Sequence, residues 1–323
     1  MKSWWIEGGS GNLELREVEV PQPGPTEMLV KLKAAGLNRG EFIRGHGLHT
    51  PGKAKAAGLE GAGEVVAVGS AVKGFAVGDA IMGRTAAGFA EYSLIDQGET
   101  TRKPAALSWE EAAGASLAQW VAYDMVVPEG EVGAGDWVLV TGVSSGVGVG
   151  ALQIARQRGA HVIGTSGSAA KIERLKAMGM DEGIVARGAG FAAEVMRITG
   201  GKGVKLAINN VGGTAFPDAL ASLAYRGRLA IVGYVDNTLA AEVDLEALHA
   251  KRLRVFGVSN KLRPLAERAQ TVAGFVRDVL PLYASGAIRP VIDQVFEFNA
   301  LPQARDAMES NAQVGKIVLR VAA

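Results

Sequence analysis

Residues 141–150 read TGVSSGVGVG, between the strand-like stretch DWVLV at 136–140 and the amphipathic run ALQIARQRGA at 151–160. A buried strand that turns sharply into a helix needs glycine wherever a side chain would block the turn or the neighbouring strand. Gly146 and Gly148 sit where the helix opens, and Val147, Ala151, Ile154 and Ala155 continue as an apolar stripe at helical spacing. The full GxGxxG pattern is broken, because counting back from Gly148 its first two glycine positions hold Val143 and Ser145. Read alone, the run is either a tight turn without a ligand or a floor for phosphate groups.

The surrounding pattern decides between these readings. Strand-like runs are legible at 137–141, 161–165, 183–185, 205–209, 228–233 and 254–258, with helical segments near 147–158, 169–178, 191–199, 216–223 and 243–250. Such alternation predicts a doubly wound parallel sheet with helices on both faces, an α/β Rossmann arrangement. The TGVSSGVGVG run then opens its first helix, whose N-terminus presents backbone NH groups to phosphate. Ser145, Gly146, Val147 and Gly148 are the residues expected there.

About 20 residues further on, an acid would grip an adenosine ribose through its hydroxyls. The sequence instead reads VIGTSGSAAK over 162–171, with no acid before Lys171. Small hydroxyl residues followed by a lysine suit a 2′-phosphate, which an ammonium attracts and a carboxylate repels. The expected cofactor is therefore NADPH, with Ser166 and Lys171 as direct contacts and Arg187 as a second cation. The plainer reading of Lys171 is a solvated lysine at a helix start.

The flanking regions differ in character. From Lys2 to about Leu94 short β-rich runs such as LELREVEV, MLVKLKAAG and GEVVAVG are broken by PQPGP and lone glycines, which predicts an antiparallel, partly barrel-like domain. After about residue 262 come a long helical pattern at 264–285, a strand VIDQVF, a short helix near 302–310 and a strand KIVLRV. The predicted division is 1–121 and 262–323 as two pieces of one domain, with 122–261 inserted between them.

Composition narrows the function. Of 323 residues, 34 are Lys or Arg and 33 are Asp or Glu, so there is no electrostatic case for nucleic acid or a membrane surface. The absence of cysteine removes disulfides, thiolate nucleophiles and cysteine-based metal sites, and suits a reducing, cytoplasmic setting. The start, MKSWWIEGGS, is too short and polar for a signal peptide, and no apolar run reaches the roughly 18 residues of a membrane helix. Glycine, at 44 residues, is about twice the usual ~7%, which points to many tight turns.

Several stretches together carry a resemblance: AAGLNRGE at 34–41, GLEGAGEVVAVGSAV at 58–72, FAVGDAIMG at 75–83, GFAEYSLI at 88–95, SSGVGVGALQIA at 144–155, TGGKGV at 199–204, NVGG at 210–213 and VGKIVLRV at 314–321. In order and spacing the chain resembles the medium-chain dehydrogenase/reductase superfamily, within it the zinc-independent quinone oxidoreductase branch that includes zeta-crystallin. The resemblance implies a GroES-like catalytic domain made from both chain ends, a Rossmann domain between them, and dimerisation through the last Rossmann strand, around RLRVFGV. That strand's Lys251, Arg252 and Arg254 are equally the marks of a charge-protected edge. Zinc relatives carry a cysteine at the place of Asn38 and a histidine at the place of Leu59, so no metal site is expected.

The implied reaction is hydride transfer from NADPH to a quinone or an α,β-unsaturated carbonyl, with the protein supplying hydrogen-bond donors to the carbonyl oxygen. Asn38 matches the family's cleft-facing asparagine and is the expected donor; its other reading is a turn-stabilising residue. His49 is a second candidate near neutral pH, and Tyr123 is expected to wall the nicotinamide pocket. Family members often have an aspartate where this chain has Glu41 and a tyrosine where it has His49. Asn210, Gly233 and Tyr234 fall at strand ends, Ser259 and Asn260 follow the last strand towards the nicotinamide amide, and Lys316 matches a basic position that reaches the pyrophosphate in relatives. Asn209 replaces a frequent acid in NNVGG. The alternatives are an enoyl-thioester reductase and a non-catalytic, crystallin-like or RNA-binding protein.

Overall fold

In the computed structural model, residues 1–42 and 53–321 are described. The chain divides into two units, one of Met1–Trp120 with Lys261–Ala323 and one of Val121–Asn260.

The first unit begins with β1 (Lys2–Ile6), β2 (Leu13–Glu17), β3 (Glu27–Gly36), β4 (Lys55–Ala56), β5 (Glu60–Val68), β6 (Ala80–Arg84), β7 (Tyr92–Asp96) and β8 (Thr100–Arg102). β1 pairs antiparallel with β2 and β4, and β3 pairs antiparallel with β5 and β7. The period of two in MLVKLK explains the orientation of β3: Met28, Val30 and Leu32 point into the core beside Ile6, Ile81 and Ile95, while Lys31 and Lys33 stay partly exposed. Helix α1 (Trp109–Gly114) starts at Ser108, whose hydroxyl accepts from the Glu111 amide while the Glu111 carboxylate accepts from the Ser108 amide. Helix α2 (Leu117–Val126) follows and runs across the boundary between the units.

The second unit alternates strictly: β9 (Trp137–Thr141), α3 (Gly146–Gln157), β10 (His161–Ser166), α4 (Ala169–Lys176), β11 (Glu182–Val185), α5 (Ala192–Ile198), β12 (Val204–Asn209), α6 (Phe216–Ala221), β13 (Leu223–Ile231), α7 (Leu245–Ala250) and β14 (Arg254–Gly257). Its strands form a parallel sheet in the order β11-β10-β9-β12-β13-β14. The central strand is buried on both faces, with Val138, Leu139 and Val140 all at 0% exposure, which is why it reads as an unbroken apolar run. Strand β13 begins at Leu223, five residues before the sequence pattern suggests. The extra stretch carries an exposed Tyr225 and a left-handed Arg226 (φ 60°), and such turn-like features mask a strand from pattern reading.

The chain then completes the first unit with α8 (Leu265–Asp278), α9 (Leu280–Ser285), β15 (Ile292–Glu297), α10 (Leu301–Glu309) and β16 (Lys316–Arg320). The helical pattern at 264–285 is two helices rather than one. Pro281 has no NH to donate and takes a first-turn place in α9, so the helix restarts after Val279. β16 lies parallel to β15 and antiparallel to β3, in a sheet ordered β15-β16-β3-β5-β6-β8. Among the described residues no helix is long and apolar enough to cross a membrane.

Candidate active site

Because all strands of the second unit run the same way, Thr141, Ser166, Val185, Asn209, Ile231 and Gly257 end on one edge of the sheet. From β9 the chain passes to β10 and β11 on one side, and the crossover from β11 then returns it to β12 on the other side of β9, so a crevice opens beyond those ends. A Cβ built on Gly142 would lie 3.5 Å from that of Asn210, which places the β9 and β12 loops side by side there.

TGVSSGVGVG lines this crevice. Gly142, at φ +59°, makes the left-handed turn out of β9. Gly148 permits the helix to close on the strand, since a Cβ there would meet the Val143 carbonyl oxygen at 2.6 Å. Ser145 caps α3, its hydroxyl accepting from the Gly148 amide at 3.0 Å. The Gly146 and Val147 amides, in the first turn and partly exposed, have no carbonyl four residues back within the helix. They fit a pyrophosphate.

The adenosine end is cationic and hydroxylated. Lys171 Nζ lies 3.5 Å from Ser144 Oγ, and Ser166 closes β10 with its hydroxyl accepting from the Ser168 amide. The Arg187 side chain lies over Gly167, where a Cβ would approach its Nε to 2.4 Å. Ser144, Ser166, Lys171 and Arg187 thus meet at one corner, with no carboxylate between Ser166 and Lys171.

At the β12 end, Asn209 Oδ1 accepts from Thr141 Oγ1, Val211 N and Gly212 N, and its Nδ2 donates to Gly212 O. An amide here does the turn-holding that an acid would do, and adds a donor. Asn210 Nδ2 donates to Thr141 O at 2.9 Å, so that part of the side chain braces the rim. Asp236 ties the next loop down: its carboxylate accepts from the Thr214 amide and hydroxyl and the Thr238 amide. Gly233 and Tyr234 precede this clamp, both partly exposed, and Ser259 and Asn260 follow β14.

In the first unit the structure corrects two expectations. Lys316 does not reach outward to a pyrophosphate. It is 5% exposed, and its ammonium donates to Leu37 O at 2.6 Å, Asn38 Oδ1 at 2.8 Å and Glu60 Oε1 at 2.5 Å, which uses all three of its hydrogens. Asn38 is not a free carbonyl donor either. Its Nδ2 donates to Glu41 Oε1 and Glu60 Oε1, each at 3.0 Å, and both amide hydrogens are thereby engaged. Glu60 Oε2 accepts from Leu117 N at 2.7 Å, at the first turn of α2. Burial drives the Glu41 carboxyl up to about 8; the Asn38 hydrogen bonds and the Lys316 charge oppose that rise, and the Glu60 charge adds to it.

Tyr123, expected at the nicotinamide pocket, is 3% exposed within α2. His49, and His46 beside it, lie outside the described residues. Among the described residues no group of three or more His, Cys, Asp or Glu is placed to hold a metal ion.

Two family models match the chain, "Alcohol dehydrogenase GroES-like domain" over residues 24–132 and "Zinc-binding dehydrogenase" over residues 146–274. The human synaptic vesicle membrane protein VAT-1 homolog is 30% identical over 324 residues, covering 95% of this chain and 82% of its own. A mycobacterial protein, Rv1454c, solved in complex with NADPH, superposes with a TM-score of 0.88 at 29% identity, covering 99% of this chain and 100% of its own. A quinone oxidoreductase of Pseudomonas syringae pv. tomato DC3000 does so with a TM-score of 0.87 at 27% identity, covering 99% of both chains. The chain belongs to the medium-chain dehydrogenase/reductase superfamily, in its quinone oxidoreductase branch.

This medium-chain dehydrogenase/reductase is thus an oxidoreductase with a GroES-like unit and a Rossmann unit. Sequence reasoning missed Glu60 as a site residue. It sits in GLEGAG, a stretch used only to carry the resemblance, and its role shows once β5 is laid beside β3 and β16. One signal was available: a lone carboxylate in an otherwise apolar and glycine-rich run is rarely buried without a cation.

Proposed function

We propose that this medium-chain dehydrogenase/reductase is an NADPH-dependent reductase that delivers hydride to a quinone or to an α,β-unsaturated carbonyl, without zinc. The observation that carries the cofactor choice is the cationic corner of Ser144, Ser166, Lys171 and Arg187, with no acid in the sequence between Ser166 and Lys171. Lys171 and Arg187 would hold the 2′-phosphate, and the Gly146 and Val147 amides at the α3 N-terminus would hold the pyrophosphate. Bound NADPH supplies the hydride. The zinc-free reading rests on charge: a divalent cation at Asn38 would meet the Lys316 ammonium, which already lies 2.8 Å from Asn38 Oδ1.

The exposed side of β14 supports a homodimer. This edge strand pairs with β13, and Val255 is 43% exposed on it, so a second copy could continue the sheet. Size-exclusion chromatography with light scattering tests that arrangement.

The decisive experiment follows NADPH oxidation with 9,10-phenanthrenequinone, a simple enone and crotonyl-CoA in parallel. Turnover with the quinone or enone is expected. Turnover confined to crotonyl-CoA would make the chain an enoyl-thioester reductase, and tight NADPH binding without turnover would make it a binding protein. Lys171→Ala should cut the preference for NADPH over NADH by about 10–100-fold, as expected for losing one charge-assisted contact. An unchanged preference refutes the phosphate corner.

A further inference from the structure

The stretch NNVGGT at 209–214 carries two glycines that the phosphate floor does not explain. Both lie under the loop that follows β13. A Cβ built on Gly212 would collide with Asp236 Oδ1 and come within 2.9 Å of Tyr234 Cα, and the φ of +130° itself disfavours a side chain. A Cβ on Gly213 would come within 2.6 Å of Thr238 Cγ2 and 2.7 Å of Ala240 O. Glycine stands at both places because a second stretch of backbone lies directly on them.

Hydrogen bonds zip the two loops together. Val232 N donates to Asn209 O at 3.0 Å, Asp236 N to Val211 O at 3.1 Å and Gly213 N to Thr238 O at 2.9 Å. The Asp236 carboxylate closes the zip by accepting from Thr214 N at 2.8 Å, Thr214 Oγ1 at 2.6 Å and Thr238 N at 2.9 Å. Partial burial raises the Asp236 carboxyl, but donation from the Thr214 hydroxyl and from the Thr238 and Thr214 amides outweighs it and keeps the group below its ordinary range. It is a carboxylate near neutrality, the form that accepts such bonds best. All of these residues belong to the second unit.

The place of this clamp on the sheet gives it a use. The cationic corner stands at the β9 and β10 ends, so a dinucleotide anchored there and crossing the crevice extends over the ends of β12 and β13. On that side the rim is Asn210 beside Gly233, where a Cβ on Gly233 would lie 3.7 Å from Asn210 O. The link from Ile231, the end of β13, to Leu245, the start of α7, is a loop. Its backbone at Gly233 and Tyr234 is held between the Val232 bond on one side and the Asp236 clamp on the other. We propose, resting on the NADPH reading above, that Asp236 and Thr214 are positioning residues for the cofactor: they pin the β13 loop to the β12 loop and so set the rim that receives the half of NADPH beyond its pyrophosphate.

The test compares the dissociation constants of NADPH, by its fluorescence, and of 2′,5′-ADP, by calorimetry, for the full chain as wild type, Asp236→Ala, Thr214→Val and Thr214→Ser. The smaller ligand carries only the adenosine, its 2′-phosphate and one further phosphate, so it needs the cationic corner and not the β13 loop. Asp236→Ala should weaken NADPH about tenfold and leave 2′,5′-ADP within about twofold of the wild type. Thr214→Val keeps the shape that lies against Gly188 and loses only the hydroxyl, so it should weaken NADPH by about threefold. Thr214→Ser, which keeps the hydroxyl, should bind both ligands as the wild type does.

A merely structural role would lower the urea midpoint without separating the two ligands. NADPH binding that is unchanged in Asp236→Ala, or weakened by the same factor as 2′,5′-ADP, overturns the proposal. Should Asp236→Ala fail to fold, Thr214→Val against Thr214→Ser decides by the same criterion. If the wild type prefers NADH, the phosphate corner fails, and NADH with 5′-AMP takes the place of the first pair of ligands in judging the clamp. Binding of neither dinucleotide overturns both.

Discussion

Replacing Glu41 by glutamine should stabilise the protein, and by an amount that depends on pH in a defined way. The carboxyl titrates at 4.5 when unfolded and at about 8 when folded. Between those values the native state holds a proton that the unfolded chain has released, so stability contributed by this group falls as pH rises through the window and is flat on either side of it. Each tenfold change in proton concentration is worth about 1.36 kcal/mol, so the whole window amounts to roughly 5 kcal/mol and the penalty at neutrality to about 3 kcal/mol. Glutamine keeps an oxygen for the Asn38 amides and has nothing to titrate. The stability gap between variant and wild type should therefore widen by about 2–4 kcal/mol from pH 5 to pH 9, allowing for relaxation around the buried group. Urea unfolding of both proteins, followed by tryptophan fluorescence, measures it. Trp4, Trp5, Trp109 and Trp120 all report on the unit that contains Glu41, and Trp137→Phe removes the signal from the other. A gap that stays constant across this range refutes the protonated state of Glu41.

Other substitutions test other parts of the structure. Lys316→Met leaves the fully buried Glu60 carboxylate without its cation and should lower stability by about 3–5 kcal/mol, with part recovered by adding Glu60→Gln; a double-mutant cycle in urea measures the coupling. Gly148→Ala places a methyl against the Val143 backbone and should weaken NADPH binding about tenfold or more, read by cofactor fluorescence; normal binding would remove α3 from the phosphate floor. Asp218→Ala strips one carboxylate oxygen from the amides of Gly190, Phe191 and Ala192, at 2.7, 2.6 and 3.0 Å, and should cost about 2–4 kcal/mol in thermal or urea unfolding.

The Rossmann unit was legible because its signals are local. Each strand is a short apolar run, each helix carries a stripe, and β9 through β12 fall within a residue or so of their expected places. Even the broken glycine motif became interpretable, although the turn glycine is Gly142, which counting back from Gly148 does not reach. The cluster around Asn38 was not legible, because its members come from the turn after β3, from β5 and from β16. Residues 38, 60 and 316 share no periodicity, and a lysine near the end of a chain reads as a solvated one until its acceptors are known. The burial of Tyr123 likewise depends on packing that the sequence of α2 alone does not encode.

The position of β16 also has a consequence for how the molecule is made. It is the last strand of the chain, yet it lies inside its sheet, flanked by β15 and β3. The Rossmann unit is contiguous and can fold as soon as Asn260 has emerged, whereas the Ala34–Gly36 end of β3 must wait for β16 to fill the edge that β7 leaves open. Until Lys316 arrives, Glu60 and Asn38 lack the cation that belongs between them. β16 therefore brings the missing backbone partners of β3 and the Lys316 charge to the GroES-like unit together.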